Sequence, residues 1–139
     1  MTKAADKAQA LPTTNRDLLQ ATVIAHLATR RPDGQVQSNP VWYEWDGEHL
    51  KISQTRARQK LRNVENDPHV ALSITDPEDP YRYLEVRGVV DRVDPDPDRT
   101  FIDDLSERYL GQRPYPHHQA GDERVIVYIR PTGSSAMAA

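Results

Sequence analysis

The chain has 139 residues, 37 % of them hydrophobic and 28 % charged, a net charge of −3 and no cysteine. That length suits one domain with a modest core. The charge excludes a global basic field for nucleic acid, and the lack of cysteine excludes disulfides, thiolate metal sites and a Cys nucleophile.

No apolar run approaches the ~20 residues of a membrane span, and the N-terminus has no long apolar signal core, so the expected location is the cytoplasm. Residues 1–13 are polar and Ala-rich and are expected to be disordered. Thr14 or Asn15 is placed to cap a short helix through Gln20. Val23 to Thr29 reads as a strand. Pro32-Asp33-Gly34 is a hairpin signal, and Val36 to Trp45 is the returning strand, distorted where Pro40 removes a ladder donor. Asp46-Gly47 is a second hairpin signal before a strand from His49 to Ser53, giving a three-stranded antiparallel meander. A helix near 58–66 ends at Asp67-Pro68. Val70 to Thr75 and Tyr81 to Val93 are further strands, the second with Gly88 inside it, where a bend, bulge or close approach is expected. Phe101, Ile102, Leu105 and Tyr109 recur at helical spacing within Asp98 to Leu110, and Gly111 is a stop. After a polar loop over 112–122, Arg124 to Arg130 is a last strand closed by Pro131. The tail over 132–139 is expected to be disordered. No strand–helix–strand repeat occurs, so a parallel sheet is not expected. The reading is mostly β: a six-stranded antiparallel barrel over 14–131 with peripheral helices.

The segment ISQTRARQKLRNVENDP, Ile52 to Pro68, carries the strongest chemical signal. It runs from a strand end through a polar loop into a helix. Ser53, Gln54 and Thr55 supply hydroxyl and amide groups, and Arg56, Arg58, Lys60 and Arg62 put four cations within seven residues. Free N–H groups at a helix start favour an anion, and Arg grips phosphate with two parallel bonds. The loop lacks the glycines of a Walker loop or a dinucleotide turn. On its own the cluster also fits a solvated helix face, with Leu61 and Val64 packed inward and a weak Arg62–Glu65 surface pair.

The order of the segments LATRRPDGQVQSNPVWYEWDG (27–47), RQKLRNVENDPHVALSI (58–74), YRYLEVRGVV (81–90), RYLGQRPYP (108–116) and ERVIVYIRP (123–131) resembles the split β-barrel, flavin- and deazaflavin-binding family related to pyridoxamine 5′-phosphate oxidase. Within it, the chain is most similar to small single-domain proteins that use coenzyme F420, an 8-hydroxy-5-deazaflavin. The resemblance implies an FMN-binding-like split barrel and a homodimer with cofactor sites at the subunit interface. It implies an oxidoreductase that passes a hydride between the deazaflavin and a small organic substrate. FMN is the alternative cofactor, and a protein that only binds a cofactor is the alternative to an enzyme. Carried over position by position, the cofactor phosphate falls on Ser53, Thr55, Arg58 and Lys60. The ring falls along Gln37 to Val41, with Gln37, Asn39, Pro40 and Val41 as contacts. F420 carries an acidic glutamate tail, for which Arg30, Arg31 and Arg56 are candidate partners.

The resemblance transfers no catalytic acid or base, because the cofactor carries the organic chemistry. Tyr43, His49, Tyr115, His117 and His118 are weighed as proton donors against ordinary packing roles. Adjacent His117 and His118 point apart on a strand and lack a carboxylate partner, so no metal is expected. Glu85 and Arg87 alternate onto one strand face as an ion pair. Tyr81 and Tyr83 are barrel packing or partner-subunit contacts. Trp42 and Trp45 are core or interface anchors.

Overall fold

Two Asp-Gly corners set the course of the first half of the chain. In the computed structural model, which describes residues 10–137, Gly34 N–H donates to the Arg31 carbonyl at 2.8 Å and Arg31 N–H to the Gln35 carbonyl at 2.8 Å. Gly34 sits at φ +93°, where a side chain would be strained. At the second corner, Asp46 Oδ1 accepts from the N–H groups of Glu48 and His49 at 2.8 and 2.6 Å. The first corner joins β1 (Ala25–Arg30) to β2 (Val36–Val41), and the second joins β3 (Glu44–Trp45) to β4 (Leu50–Thr55).

The stretch 36–45, expected as one strand, is therefore two. Its first part pairs with β1 and its last two residues pair with β4, with Trp42 and Tyr43 between. This break raises the count from the expected six strands to seven among the described residues. The rest of the chain adds α1 (Gln59–Asn66), β5 (His69–Thr75), β6 (Tyr83–Pro95), α2 (Thr100–Leu110) and β7 (Arg124–Met137). The sheet order is β2-β1-β5-β6-β7-β4-β3, and every neighbouring pair is antiparallel. The strands at the two ends of this order are consecutive in sequence, so the sheet curls back on itself as a split barrel.

Side chains alternate along the strands as a barrel requires. On β7, Val125, Val127 and Ile129 are buried while Arg124, Ile126, Tyr128 and Arg130 are only half-buried. With Leu27, Leu50, Ile52, Leu72, Ile74, Leu84 and Val86 they make one core cluster. Each such side chain contributes about 1.5–3 kcal/mol by burial. Trp45 packs against this cluster, as expected of a core anchor. Gly88 lies at a register shift between β6 and β7. A Cβ there would stand 2.7 Å from the Arg130 carbonyl oxygen, so the close approach excludes any other residue.

The ends depart from expectation. The segment 132–137 is the second half of β7 rather than a disordered tail, pairing Thr132-side residues with the start of β6 as far as Tyr83↔Met137. Its polar Thr-Gly-Ser-Ser run shows no alternation, yet β6 extends past Gly88 and offers it a free ladder edge. Asn15 ties this end down: its side-chain amide donates to the carbonyls of Tyr83 and Met137 at 2.9 and 2.8 Å. Asn15 thus precedes the short 3-10 turn Arg16–Leu19 without capping it through its side chain. Residues 1–9 and 138–139 of the expected disordered segments lie outside the described residues, and Leu11 is part of the core cluster. No described helix is long and apolar enough to cross a membrane.

Candidate cofactor groove

β4 delivers Ser53 and Thr55 to its C-terminal end, and Arg58 N–H then donates to the Thr55 carbonyl at 3.1 Å to turn the chain into α1. Leu61 and Val64 bury the inner face of α1. Asn63, fully buried, donates to Thr29 Oγ1 at 2.9 Å and fixes the helix to β1. Helical bonding begins with Arg62 N–H to the Arg58 carbonyl at 3.4 Å, and no side chain caps the first turn. The N–H groups of Gln59, Lys60 and Leu61 therefore remain available to an anion.

The four cations of the cluster divide by their surroundings. Arg56 is exposed and faces Glu123 at 3.6 Å. Arg62 is exposed, and the expected Arg62–Glu65 pair is absent among the described residues. Arg58 and Lys60 have no carboxylate partner among the described residues, and both line a cavity of about 170 Å³ with Ser53, Gln54, Thr55, Tyr115 and Arg124. Burial, and then the neighbouring Arg58 charge, lower the pKa of Lys60 from its ordinary value. A half-buried ammonium held near another cation is a site organised for a missing negative charge.

A second cavity of about 300 Å³ shares Ser53, Gln54, Lys60, Tyr115 and Arg124 with the first, so the two form one groove. Its other wall is apolar: Ile24, Pro40, Val41, Trp42, Ile102 and Leu105. Trp42 is held upright by stacking on Tyr109, with ring centroids 5.1 Å apart, and meets Tyr115 edge-on at 6.1 Å. The groove thus has a cationic end and a flat, apolar end.

Arg124 joins the two ends. Its Nη1 lies 3.4 Å from Ser53 Oγ, and its guanidinium sits over the Tyr115 ring at 4.9 Å. Its Nε is buried and makes no hydrogen bond among the described residues. An orphaned buried donor on a wall shared with Lys60 and Arg58 fits an acidic group such as a phosphate, and the apolar end fits a flat ring.

Of the residues expected at the site, Ser53, Thr55, Arg58, Lys60, Pro40 and Val41 line the groove. Gln37 and Asn39 do not reach its wall. The Gln37 amide instead donates to Asn39 Oδ1 at 2.8 Å and accepts from Arg31 at 2.9 Å. Among the proton-donor candidates, Tyr115 alone borders the groove. The Tyr43 hydroxyl is buried, donates to the Leu18 carbonyl at 2.6 Å and has its pKa pushed up by burial. His49 faces Asp91 at 3.0 Å, and His117 packs its ring against Tyr115 at 5.6 Å. Among the described residues no group of His, Asp and Glu is arranged to hold a metal. Glu85 and Arg87 do form an ion pair, at 3.3 Å. Arg124, Ile102 and Leu105 were expected as strand and helix positions, and nothing local in the sequence marks them as groove residues. Arg124 reaches the cations only because β7 pairs with β4 in the register Thr55↔Arg124, a long-range pairing that no local signal announces.

A split barrel with such a groove is a fold of flavin- and deazaflavin-type oxidoreductases. The family model for pyridoxamine 5′-phosphate oxidase matches residues 11–137, and the chain belongs to that family. A solved structure named F420 reductase is 46 % identical, with a TM-score of 0.83 over 90 % of this chain and 98 % of that one. A conserved hypothetical protein, Rv2991 from Mycobacterium tuberculosis, is 24 % identical with a TM-score of 0.72, over 99 % of this chain and 89 % of that one. General Stress Protein 26 from Bacillus anthracis is 21 % identical with a TM-score of 0.65, over 87 % of this chain and 88 % of that one. These last two share the fold. No curated protein matches the chain.

Proposed function

We propose that the protein is an F420-dependent oxidoreductase that reduces a small organic substrate. The observation that carries this reading is the groove: at one end two cations without a carboxylate partner and a guanidinium nitrogen without a hydrogen bond among the described residues, and at the other a flat apolar wall. Similarity to the protein named F420 reductase supports the choice of cofactor. When bound, the deazaflavin supplies hydride chemistry. The protein's residues hold it and keep the site dry. Arg58, Lys60 and Arg124 take the phosphate, with hydroxyl bonds from Ser53 and Thr55. Trp42, Ile102 and Leu105 exclude water beside the ring, as Pro40 and Val41 do from β2. β2 ends the sheet, and its outer ladder edge offers backbone N–H and C=O groups to ring heteroatoms. Gln37 and Asn39, whose side chains bond to each other, lie off the groove wall, and the contacts from β2 are left to Pro40 and Val41.

The working unit in this reading is a cytoplasmic homodimer with the groove completed by the partner. Val36 and Tyr81 are 76 % and 71 % exposed, large apolar surfaces that a second copy would cover. Fluorescence titration with F420 and with FMN tests the proposal. F420 should bind at least tenfold more tightly, a difference of about 1.4 kcal/mol. Preference for FMN by that margin would replace F420 with FMN in the same groove, and binding of neither would sink the cofactor reading.

A further inference from the structure

Strands β1 and β2 run in one unbroken register from Arg30↔Val36 to Ala25↔Val41. At their hairpin Arg31 N–H donates to the Gln35 carbonyl at 2.8 Å, which marks the odd-numbered pairs as the hydrogen-bonded ones. Continued past Ala25↔Val41, the same register would face Ile24 with Trp42 and join Tyr43 N–H directly to the Val23 carbonyl. Among the described residues that bond is not made. The two chains part after Val41 instead, and Ile24 and Trp42, the residues at the parting, both line the apolar end of the groove.

The last turn of α2 bridges the gap. The Tyr109 hydroxyl accepts from Tyr43 N–H at 3.3 Å and donates to the Val23 carbonyl at 2.8 Å, so one side chain stands in for the missing ladder bond. The Tyr43 carbonyl is farther off, at 3.4 Å. Arg108 spans the next step of the same register: its Nη2 lies 3.4 Å from Thr22 Oγ1 and its Nη1 3.9 Å from the Glu44 carboxylate. The Tyr109 ring lies within 12° of parallel to the Trp42 indole. Burial raises the pKa of the Tyr109 hydroxyl above its ordinary value, so it keeps the proton that it donates. Tyr43 is buried, so its N–H depends on a partner within the protein. A tyrosine that only filled the apolar face of α2 would need no hydroxyl, and phenylalanine would serve as well.

We propose that Tyr109 is a positioning residue for the apolar end of the groove: its hydroxyl ties the parted ends of β1 and β2 at a fixed separation, and its ring holds Trp42 at the edge of the opening. Ile24, one residue from Val23, and Trp42, one residue from Tyr43, are thereby set as the two lips of that end. The cofactor reading enters only in what the lips receive, the flat ring.

Hydrogen exchange followed by NMR in the cofactor-free protein reads the tie. Tyr109→Phe keeps the stack and loses the hydroxyl. In it the Tyr43 amide should exchange about tenfold faster or more, while the Leu27 amide, inside the closed part of the ladder, keeps its wild-type rate. In a Trp45→Phe background Trp42 is the only tryptophan. Its emission should hold its wild-type position in Tyr109→Phe and shift to the red, with greater quenching by acrylamide, in Tyr109→Leu. Thermal melts check that each variant is folded, and Tyr109→Met replaces Tyr109→Leu if that variant is not. Titration with F420 reads the consequence: a dissociation constant about tenfold higher in Tyr109→Phe and higher again in Tyr109→Leu, with the wild-type salt dependence retained because the cations of the phosphate end are untouched. Lys60→Ala is the contrast, losing affinity and salt dependence together. Wild-type exchange at Tyr43, or wild-type affinity for F420, in Tyr109→Phe would overturn the proposal. So would a Leu27 amide that speeds up by the same factor, or a salt dependence that falls as in Lys60→Ala, because Tyr109 would then support the fold as a whole. The exchange and emission measurements use no cofactor. If the wild type bound neither F420 nor FMN, the cofactor reading would fail, and fast exchange confined to Tyr43 would still establish the tie.

Discussion

Lys60→Ala separates a built anion site from a solvated helix face. Lys60 is half-buried at the start of α1, lines both parts of the groove and has no carboxylate partner among the described residues. Removing it orphans no buried anion, so the fold should not suffer. Burial and the Arg58 charge already disfavour its charged form, as the lowered pKa states. Near its titration the unfolded chain binds more protons at this position than the folded one. Its contribution therefore destabilises the free protein below the lowered pKa, and the penalty fades as pH rises toward 10.5, the ordinary Lys value. Lys60→Ala should melt at or slightly above the wild-type temperature at pH 7, with the gap closing at high pH. Cofactor binding should respond in the opposite direction. A charge-assisted hydrogen bond contributes roughly 1.5–3 kcal/mol, so the dissociation constant for F420 should rise about 10- to 100-fold. Fluorescence titration in low salt and thermal melts of the free protein read the two effects. Unchanged affinity, or a loss of affinity that tracks a loss of stability, would return Lys60 to a solvated helix face.

Three further outcomes follow from the same geometry. Arg124→Gln should weaken cofactor binding by about tenfold or more, through loss of a charged donor, whereas Arg62→Ala, exposed and outside the groove, should change it little in the same titration. Truncation after Pro131 should destabilise the protein by at least about 2 kcal/mol, since each lost ladder bond contributes about 0.5–1.5 kcal/mol; denaturant unfolding that matched the full chain would return 132–137 to the status of a loose tail. Sedimentation equilibrium should give twice the chain mass, and a monomer that binds F420 at full strength would contradict a groove completed by a partner.

Local signals carried most of the fold. The two Asp-Gly corners, the apolar spacing of α2 and the glycine inside β6 are short-range features, and each holds at its place in the structure. Pro40 was expected to distort the second strand, but β2 pairs with β1 in regular register through it, and the break falls at Trp42 and Tyr43, where the strand leaves β1 for β4. That is a property of barrel closure, invisible in a window of ten residues. The polar end of β7 was unreadable for a related reason: its pairing is dictated by β6 and by Asn15, far away in sequence. The site divides the same way. Ser53, Thr55, Arg58 and Lys60 lie in one segment and were legible together. Arg124, Ile102 and Leu105 come to the groove from β7 and α2, and only the three-dimensional register assembles them. Trp42 was visible as a large aromatic, but its placement on the groove wall depends on stacking against Tyr109.

One groove is proposed to bind phosphate at its cationic end and a flat ring at its apolar end, and a crystal structure of the protein with F420 would show whether it does. The phosphate should lie within hydrogen-bonding distance of Arg58, Lys60 and Arg124, and the ring against Pro40, Val41 and Ile102. A cofactor bound elsewhere, or in this groove with its phosphate away from those three cations, would contradict it.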